Sequence, residues 1–171
     1  MADLKGKVAL VTGASRGVGA GVAEGLAEAG ATIYLTARTS SATQPPAAGS
    51  LEATAKRVQM LGGTGISHRL DQRDDAAVAE LFARIQAEAG RLDILVNSAA
   101  AFPAIEIRGC TFWEAPISAW DDQQLLGLRG AYLAAANAAA MMVKRRSGLI
   151  VNISSAGALE YRHDVAYGVI K

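Results

Sequence analysis

Cysteine occurs once in the 171 residues, at Cys110. An intrachain disulfide is therefore impossible, and the composition is compatible with a reducing compartment. Charge of one sign is also missing: 17 Lys and Arg stand against 16 Asp and Glu, a net +1. Nucleic-acid recognition calls for a basic stripe or patch. The cluster Lys144-Arg145-Arg146 sits at an expected helix end, where cations complement the helix dipole. No nucleic-acid partner is expected. The first apolar run ends at once in a glycine motif, so a signal-peptide core is lacking. Long hydrophobic runs are lacking too, since the most apolar later stretch, residues 131–143, is alanine-rich and too short to span a bilayer. The expectation is a cytoplasmic protein with no membrane partner and no metal. Hydrophobic residues make up 51% and charged residues 19%, which excludes disorder and gives enough apolar surface for a core. No repeat or linker divides the chain, so residues 1–171 read as a single domain.

What is present is an alternation of short apolar runs with helical patterns. The runs 7–12, 32–37, 64–70, 92–97 and 149–154 are rich in Val, Ile and Leu without strict alternation, as strands buried on both faces should be. Helical patterns lie near 17–29, 51–61, 76–89 and 118–146, and the polar stretch 39–50, with Pro45 and Pro46, is a connection. Strands alternating with helices predict an α/β fold, a Rossmann-type doubly wound parallel sheet. The right-handed crossover rule gives the order 3-2-1-4-5, with a ligand crevice between strands 1 and 4, where the order reverses.

Strand 1 runs directly into Thr12-Gly13-Ala14-Ser15-Arg16-Gly17-Val18-Gly19, where a helix opens. Gly13 allows a tight turn, Gly17 lets backbone N–H groups approach a pyrophosphate, and Gly19 lets helix and strand pack closely. The helix N-terminus adds partial positive charge. In a chain with 18 glycines a lone triplet means little. Between a strand and a helix it points to a dinucleotide, with a plain structural turn as the alternative. An acid at the end of strand 2 would bind the ribose hydroxyls of NAD and repel a 2′-phosphate. Here the strand ends Thr36-Ala37-Arg38-Thr39. Arg38, with Arg16 closing from the glycine loop, can pair with a 2′-phosphate, so NADP(H) is expected over NAD(H). Two surface arginines without a ligand are the alternative.

Late in the chain, Ile153-Ser154-Ser155 precedes Tyr167-Gly168-Val169-Ile170-Lys171. A Tyr and a Lys four apart share one helical face and can point into one crevice. Together with the glycine loop, these residues resemble the short-chain dehydrogenase/reductase family over the whole chain. The resemblance implies an oxidoreductase that moves hydride between a nicotinamide and a carbonyl or alcohol carbon. It implies Ser155 as orienter of the substrate oxygen, Tyr167 as acid/base, and Lys171 as tuner of the phenol and ligand of the ribose. Tyrosine's reference pKa of about 10 is too high for easy acid/base work near neutrality. Lowering it by roughly three units requires about 4 kcal/mol, within reach of a neighbouring ammonium and a positive nicotinamide. Ser154 is the neighbouring candidate for the serine role, and Tyr161 is a second phenol with no Lys four residues on. Ser15 and Val18 belong to the matching glycine motif. Asp71 matches the family's adenine-contacting aspartate, with capping of the helix near Asp74 as the alternative.

The chain departs from the family pattern at two places. Asn97-Ser98-Ala99-Ala100 stands where the family usually has Asn-Asn-Ala-Gly, so Asn97 and Ala99 match and Ala100 brings a Cβ toward the ribose position. In Gly127-Leu128-Arg129-Gly130, Gly127 replaces an asparagine that supports a water-mediated proton relay in relatives. With Phe112-Trp113-Glu114 and Trp120-Asp121-Asp122, this segment resembles the subgroup called dehydrogenase/reductase member 1. Phe112 and Trp113 lie in a long loop, 102–116, and either line a pocket mouth or pack on the long helix. The resemblance also implies homo-oligomers, further strands and a substrate-covering loop beyond the Tyr-x-x-x-Lys segment, so the 171 residues read as the dinucleotide half of that fold. Three functions compete: an NADP-dependent reductase, a nucleotide-binding domain without turnover, and a structural or interaction protein. NADPH binding separates the third from the others, and carbonyl-dependent NADPH oxidation separates the first two.

Overall fold

The computed structural model describes residues 3–38, 49–100, 110–161 and 164–171. Residues 39–48 of the expected connection and 102–109 of the expected loop lie outside the described residues; Phe112 and Trp113 are exposed, with their rings edge-on to each other at 5.2 Å. Among those described, the strands are β1 (Val8–Thr12), β2 (Thr32–Ala37), β3 (Thr64–Arg69), β4 (Ile94–Asn97) and β5 (Leu149–Asn152). They form a parallel sheet of order β3-β2-β1-β4-β5, the doubly wound order the crossover rule requires. Leu10 of β1 lies opposite Tyr34 of β2 and Leu95 of β4.

The period of two along each strand builds two cores. Val8, Leu10, Tyr34 and Leu95 turn to one face, where they meet Val78, Leu81, Phe82 and Ile85 of α3 (Asp75–Ala89) and Ala134, Ala138 and Met142 of α5 (Gly130–Arg145). Ala9, Val11, Ile33, Leu35 and Val96 turn to the other, against Ala23 and Ala27 of α1 (Gly17–Glu28) and Leu51, Ala55 and Val58 of α2 (Leu51–Met60). Each large aliphatic buried this way contributes about 1.5–3 kcal/mol. Burial on both faces holds for β1, β2 and most of β4. It fails for β3 and β5, which lie at the sheet edges: Leu149 is 55% exposed, and β3 carries Ser67, His68 and Arg69 in half-exposed or exposed positions.

β3 and β5 end earlier than their apolar runs, and β1 and β4 begin later. Leu92 and Asp93 precede β4; the Asp93 backbone still donates to the Val8 carbonyl (2.8 Å) and accepts from Leu149 N (2.9 Å), while its carboxylate accepts from Val8 N (2.9 Å), Arg91 Nη2 (2.6 Å) and Arg145 Nη2 (2.8 Å). Leu70 follows β3, with its N–H still donated to the Ala37 carbonyl. Beyond β5, Ile153 N still donates to the Asn97 carbonyl (2.9 Å), and Ser154 and Ser155 then turn away into a 3-10 turn, Ala156–Ala158.

The helix expected over 118–146 is α4 (Ile117–Gln123) joined to α5 through a π-helical stretch, Gln124–Arg129. The continuous run Ile117–Arg145 has 29 residues and, over its most apolar window, a mean hydropathy of 1.2, enough by length and composition to cross a membrane. The 131–143 stretch alone did not suggest that length. Its buried residues Ala119, Gln123, Leu126, Gly130, Ala134, Ala138 and Met142 form a single stripe at helical spacing, the pattern of a helix laid on a sheet. A short helix, α6 (Val165–Val169), closes the described fold.

Candidate active site

At the end of β1 the chain turns through Gly13 at φ +68°, and a Cβ there would lie 2.8 Å from the Ala99 Cα. Thr12 fixes the facing segment, its Oγ1 accepting from the N–H groups of Ser98 and Ala99 at 3.1 Å each. Gly19 approaches the Gly13 carbonyl so closely that a Cβ would collide with it, which brings the first turn of α1 down onto the β1–β4 switch point. Ser50 caps α2 (3.2 Å to Ala53 N) and Asp74 caps α3 (3.0 Å to Ala77 N). The N-terminus of α1 has no such cap from Arg16, and its first turn holds no acid. N–H groups left over at a helix start need an acceptor, and with the dipole they favour an anion. The glycine cradle therefore fits a pyrophosphate.

A cleft of about 290 Å³ opens above this turn. Gly13, Ser15, Arg16, Val18, Gly19, Arg38, Tyr167 and Lys171, all expected site residues, line it together with Thr36, Ala37, Leu70, Gln72, Ala100 and Leu126. Gly17, Asp71, Asn97 and Ser155 do not line it. Arg16 and Arg38 are both exposed at its β2 side. Gln72, 4% exposed, is a wall residue that sequence reasoning missed, and its Oε1 has no hydrogen-bond partner among the described residues.

Asp71 is not the cap of α3; Asp74 takes that place. The Asp71 carboxylate instead engages Arg73 (2.7 Å to Nη2), whose hydrogen bonds hold it below the usual carboxylate range against the effect of burial, with the Arg38 charge adding to the shift. Asn97 donates through Nδ2 to Asn152 Oδ1 (2.9 Å) and to the Ala131 carbonyl (3.2 Å), tying β4 to β5 and α5. It faces a second cavity of about 380 Å³, bounded also by Gly127, Ile170 and Lys171.

Ser155, Tyr167 and Lys171 converge from two turns. Ser155 starts the 3-10 turn, its Oγ accepting from Gly157 N (3.2 Å) and lying 3.0 Å from the Tyr167 hydroxyl. Tyr167 is buried, its ring held against Gly157, where a Cβ would come within 2.6 Å of Cε1. Ser154 Oγ donates to the Lys171 carbonyl (2.5 Å), so of the two serines it is Ser155 that meets the phenol. Tyr161 is 71% exposed. Tyr167 and Lys171 both line the cleft, as their four-residue spacing implies. Lys171 follows in a turn whose N–H reaches the Gly168 carbonyl (3.3 Å), and its Nζ stands 5.7 Å from the Tyr167 ring centroid. Gly127 lies in the π-helical stretch, where a Cβ would come within 2.8 Å of Ile170 Cδ1; an asparagine there would meet that side chain. Asp164 caps α6 by accepting from Tyr167 N (2.8 Å), and its Oδ1 also accepts from Gln123 Nε2 (3.1 Å). Neither residue stood out in the sequence, although an Asp immediately before a helix is an N-cap signal.

A doubly wound sheet with a glycine loop at its switch point, Tyr167 and Lys171 on the same cleft and Ser155 beside the phenol is the layout of a short-chain dehydrogenase. The short chain dehydrogenase family matches residues 7–171, and the chain belongs to that family. Dehydrogenase/reductase SDR family member 1 of Mus musculus is 44% identical over 174 residues, which cover 100% of this chain and 53% of the relative. The Homo sapiens protein of the same name is 42% identical, over 99% of this chain and 53% of its own length. The chain thus spans about half the length of the curated relatives it matches. A solved metagenomic short-chain oxidoreductase in complex with NADP superposes with a TM-score of 0.84 at 34% identity, covering 98% of this chain and 71% of that one.

Proposed function

We propose that the protein binds NADP(H) in the cleft above β1 and β4 and transfers hydride between it and a carbonyl or alcohol substrate. The observation that carries the reading is the 3.0 Å contact between Ser155 Oγ and the Tyr167 hydroxyl, with the Lys171 ammonium beside the ring. Tyr167 and Lys171 line the same cleft as the uncapped turn of α1. When bound, the nicotinamide is the hydride donor or acceptor. The chain's own residues do the rest. The α1 N–H groups and Ser15 hold the pyrophosphate, and Arg16 and Arg38 offer two guanidinium groups to a 2′-phosphate. An NADP complex in a structural neighbour supports that choice of cofactor.

For reduction, Tyr167 Oη gives its proton to the carbonyl oxygen, Ser155 Oγ donates a hydrogen bond to the same oxygen, and the Lys171 charge favours the resulting phenolate. Arg38 and Arg16 would hold the 2′-phosphate end of the cofactor, and Lys171 the ribose of the nicotinamide end. Asp71 and Asn97 act on this site from behind its wall, by fixing Arg73 and the β4–β5 junction. The test is NADPH oxidation against a panel of aldehydes and ketones. Tyr167→Phe keeps NADPH binding and loses carbonyl reduction by about 100-fold or more, the usual worth of a positioned acid. Near-parental turnover in Tyr167→Phe, or NADPH binding without oxidation on any carbonyl, would overturn the proposal.

A further inference from the structure

We propose that Asp164 is the positioning residue for Tyr167, anchoring it from the buried Gln123 of α4. The inference rests on Tyr167 as the proton donor. Tyr167 is the third residue of α6. The helix start is pinned by one carboxylate oxygen: Asp164 Oδ1 accepts from the backbone N–H of Tyr167 at 2.8 Å and from Gln123 Nε2 at 3.1 Å. Gln123 is fully buried, 0% exposed, in the stripe that α4 lays against the protein interior. The backbone of the residue whose phenol reacts is therefore tied to a fixed point in the core.

The far end of the same side chain is bounded as well. Ser155 Oγ stands 3.0 Å from the hydroxyl, and Gly157 leaves room for the ring with no space to spare. With N–H and hydroxyl both held, the two side-chain torsions of a tyrosine leave little freedom for the reacting oxygen. Gln123 carries a cost for its part in this. Its Oε1 is buried without a hydrogen-bond partner among the described residues, a penalty an apolar side chain of that size would avoid. What the amide gains is the bond to Asp164. Displacement of a reacting group by about 1 Å costs on the order of 100-fold in rate, so the brace acts on the chemistry through geometry alone.

The test reads Tyr167 directly by NMR of protein isotopically labelled at tyrosine Cζ, with the Tyr167 line assigned among the four tyrosines from its loss in Tyr167→Phe. Asp164→Ala shifts and broadens that line, and Gln123→Met moves it in the same direction. Asp164→Asn, which keeps an acceptor oxygen, leaves it at the parental position. Asp74→Ala, which removes the equivalent cap of α3, lowers thermal stability and leaves the line where it was. Should Asp164→Ala fail to fold, Gln123→Met carries the test. An unmoved Tyr167 line in both, an equal shift in Asp74→Ala, or no recovery in Asp164→Asn would overturn the proposal. Retained turnover in Tyr167→Phe would instead overturn the function proposed above, and leaves these spectra as they are.

Discussion

Replacing Gly13 by alanine tests the phosphate cradle at its narrowest point. The residue sits at φ +68°, where a side chain costs about 1–2 kcal/mol. The new Cβ would also stand 2.8 Å from the Ala99 Cα, 2.9 Å from its N and 3.0 Å from the Ser98 carbonyl oxygen. All three are backbone atoms, and both N–H groups of that segment are bonded to Thr12 Oγ1, so the neighbour cannot step aside without breaking those bonds. Overpacking of this kind costs about 1–3 kcal/mol. The two effects together give about 2–5 kcal/mol, or a fall in Tm of at least about 4 °C for a chain of this size. The loop that moves is the one that presents N–H groups to phosphate, so NADPH affinity falls at least about tenfold, equivalent to 1.4 kcal/mol. Gly21, exposed in α1 with nothing within 4 Å of its Cβ position, is the control: Gly21→Ala gains about 0.5–1 kcal/mol and leaves NADPH affinity unchanged. Thermal unfolding by circular dichroism and fluorescence titration with NADPH read both quantities. A Gly13→Ala protein with parental Tm and parental affinity would refute the reasoning.

Two further outcomes follow from the ion pairs and from the cleft. Burial opposes ionisation of Asp93, but hydrogen bonds from Arg91, Val8 N–H and Arg145 outweigh it and hold the carboxyl well below the usual range. Asp93→Asn therefore destabilises, by about 2–3 kcal/mol after allowing for partners that are 36% and 28% exposed. A group whose folded pKa is depressed stabilises above its unfolded value, so the gap between parent and variant is full above about pH 4 and shrinks as acid protonates the parent. A gap that stays constant from neutrality into strong acid, followed by denaturant melts, would contradict this. Lys171→Ala weakens both NADPH binding and carbonyl reduction, and unchanged NADPH affinity by calorimetry would remove Lys171 from the cofactor site.

The features legible in the sequence are those set by local pattern. Runs such as Val8–Thr12 and the glycine loop carry their structure in consecutive residues, and parallel order follows from the alternation with helices. Features decided by neighbours in space were not legible in the same way. β5 read as buried because its apolar content resembles that of β1, and β3 read so although Ile66 is its one large aliphatic; exposure depends on where a strand falls in the sheet. The π-helical stretch at Gln124–Arg129 gives no composition signal, since its residues suit an α-helix equally well. Tyr167 and Lys171 were found from spacing, and both line the cleft. Asp71 looked like an adenine contact or a cap, and Arg73, two residues on, takes its oxygens. Gln72, Gln123 and Asp164 are polar residues of ordinary type, and only burial and the bonds around Tyr167 single them out.

Titration calorimetry with NADPH and NADH shows whether the cleft at the β1–β4 switch point binds NADP(H). The account predicts that NADPH binds at least about tenfold more tightly than NADH, and that Arg38→Asp, which sets a carboxylate where the 2′-phosphate would lie, abolishes the difference. Equal affinity of the parent for the two nucleotides, or no heat from either, would contradict it.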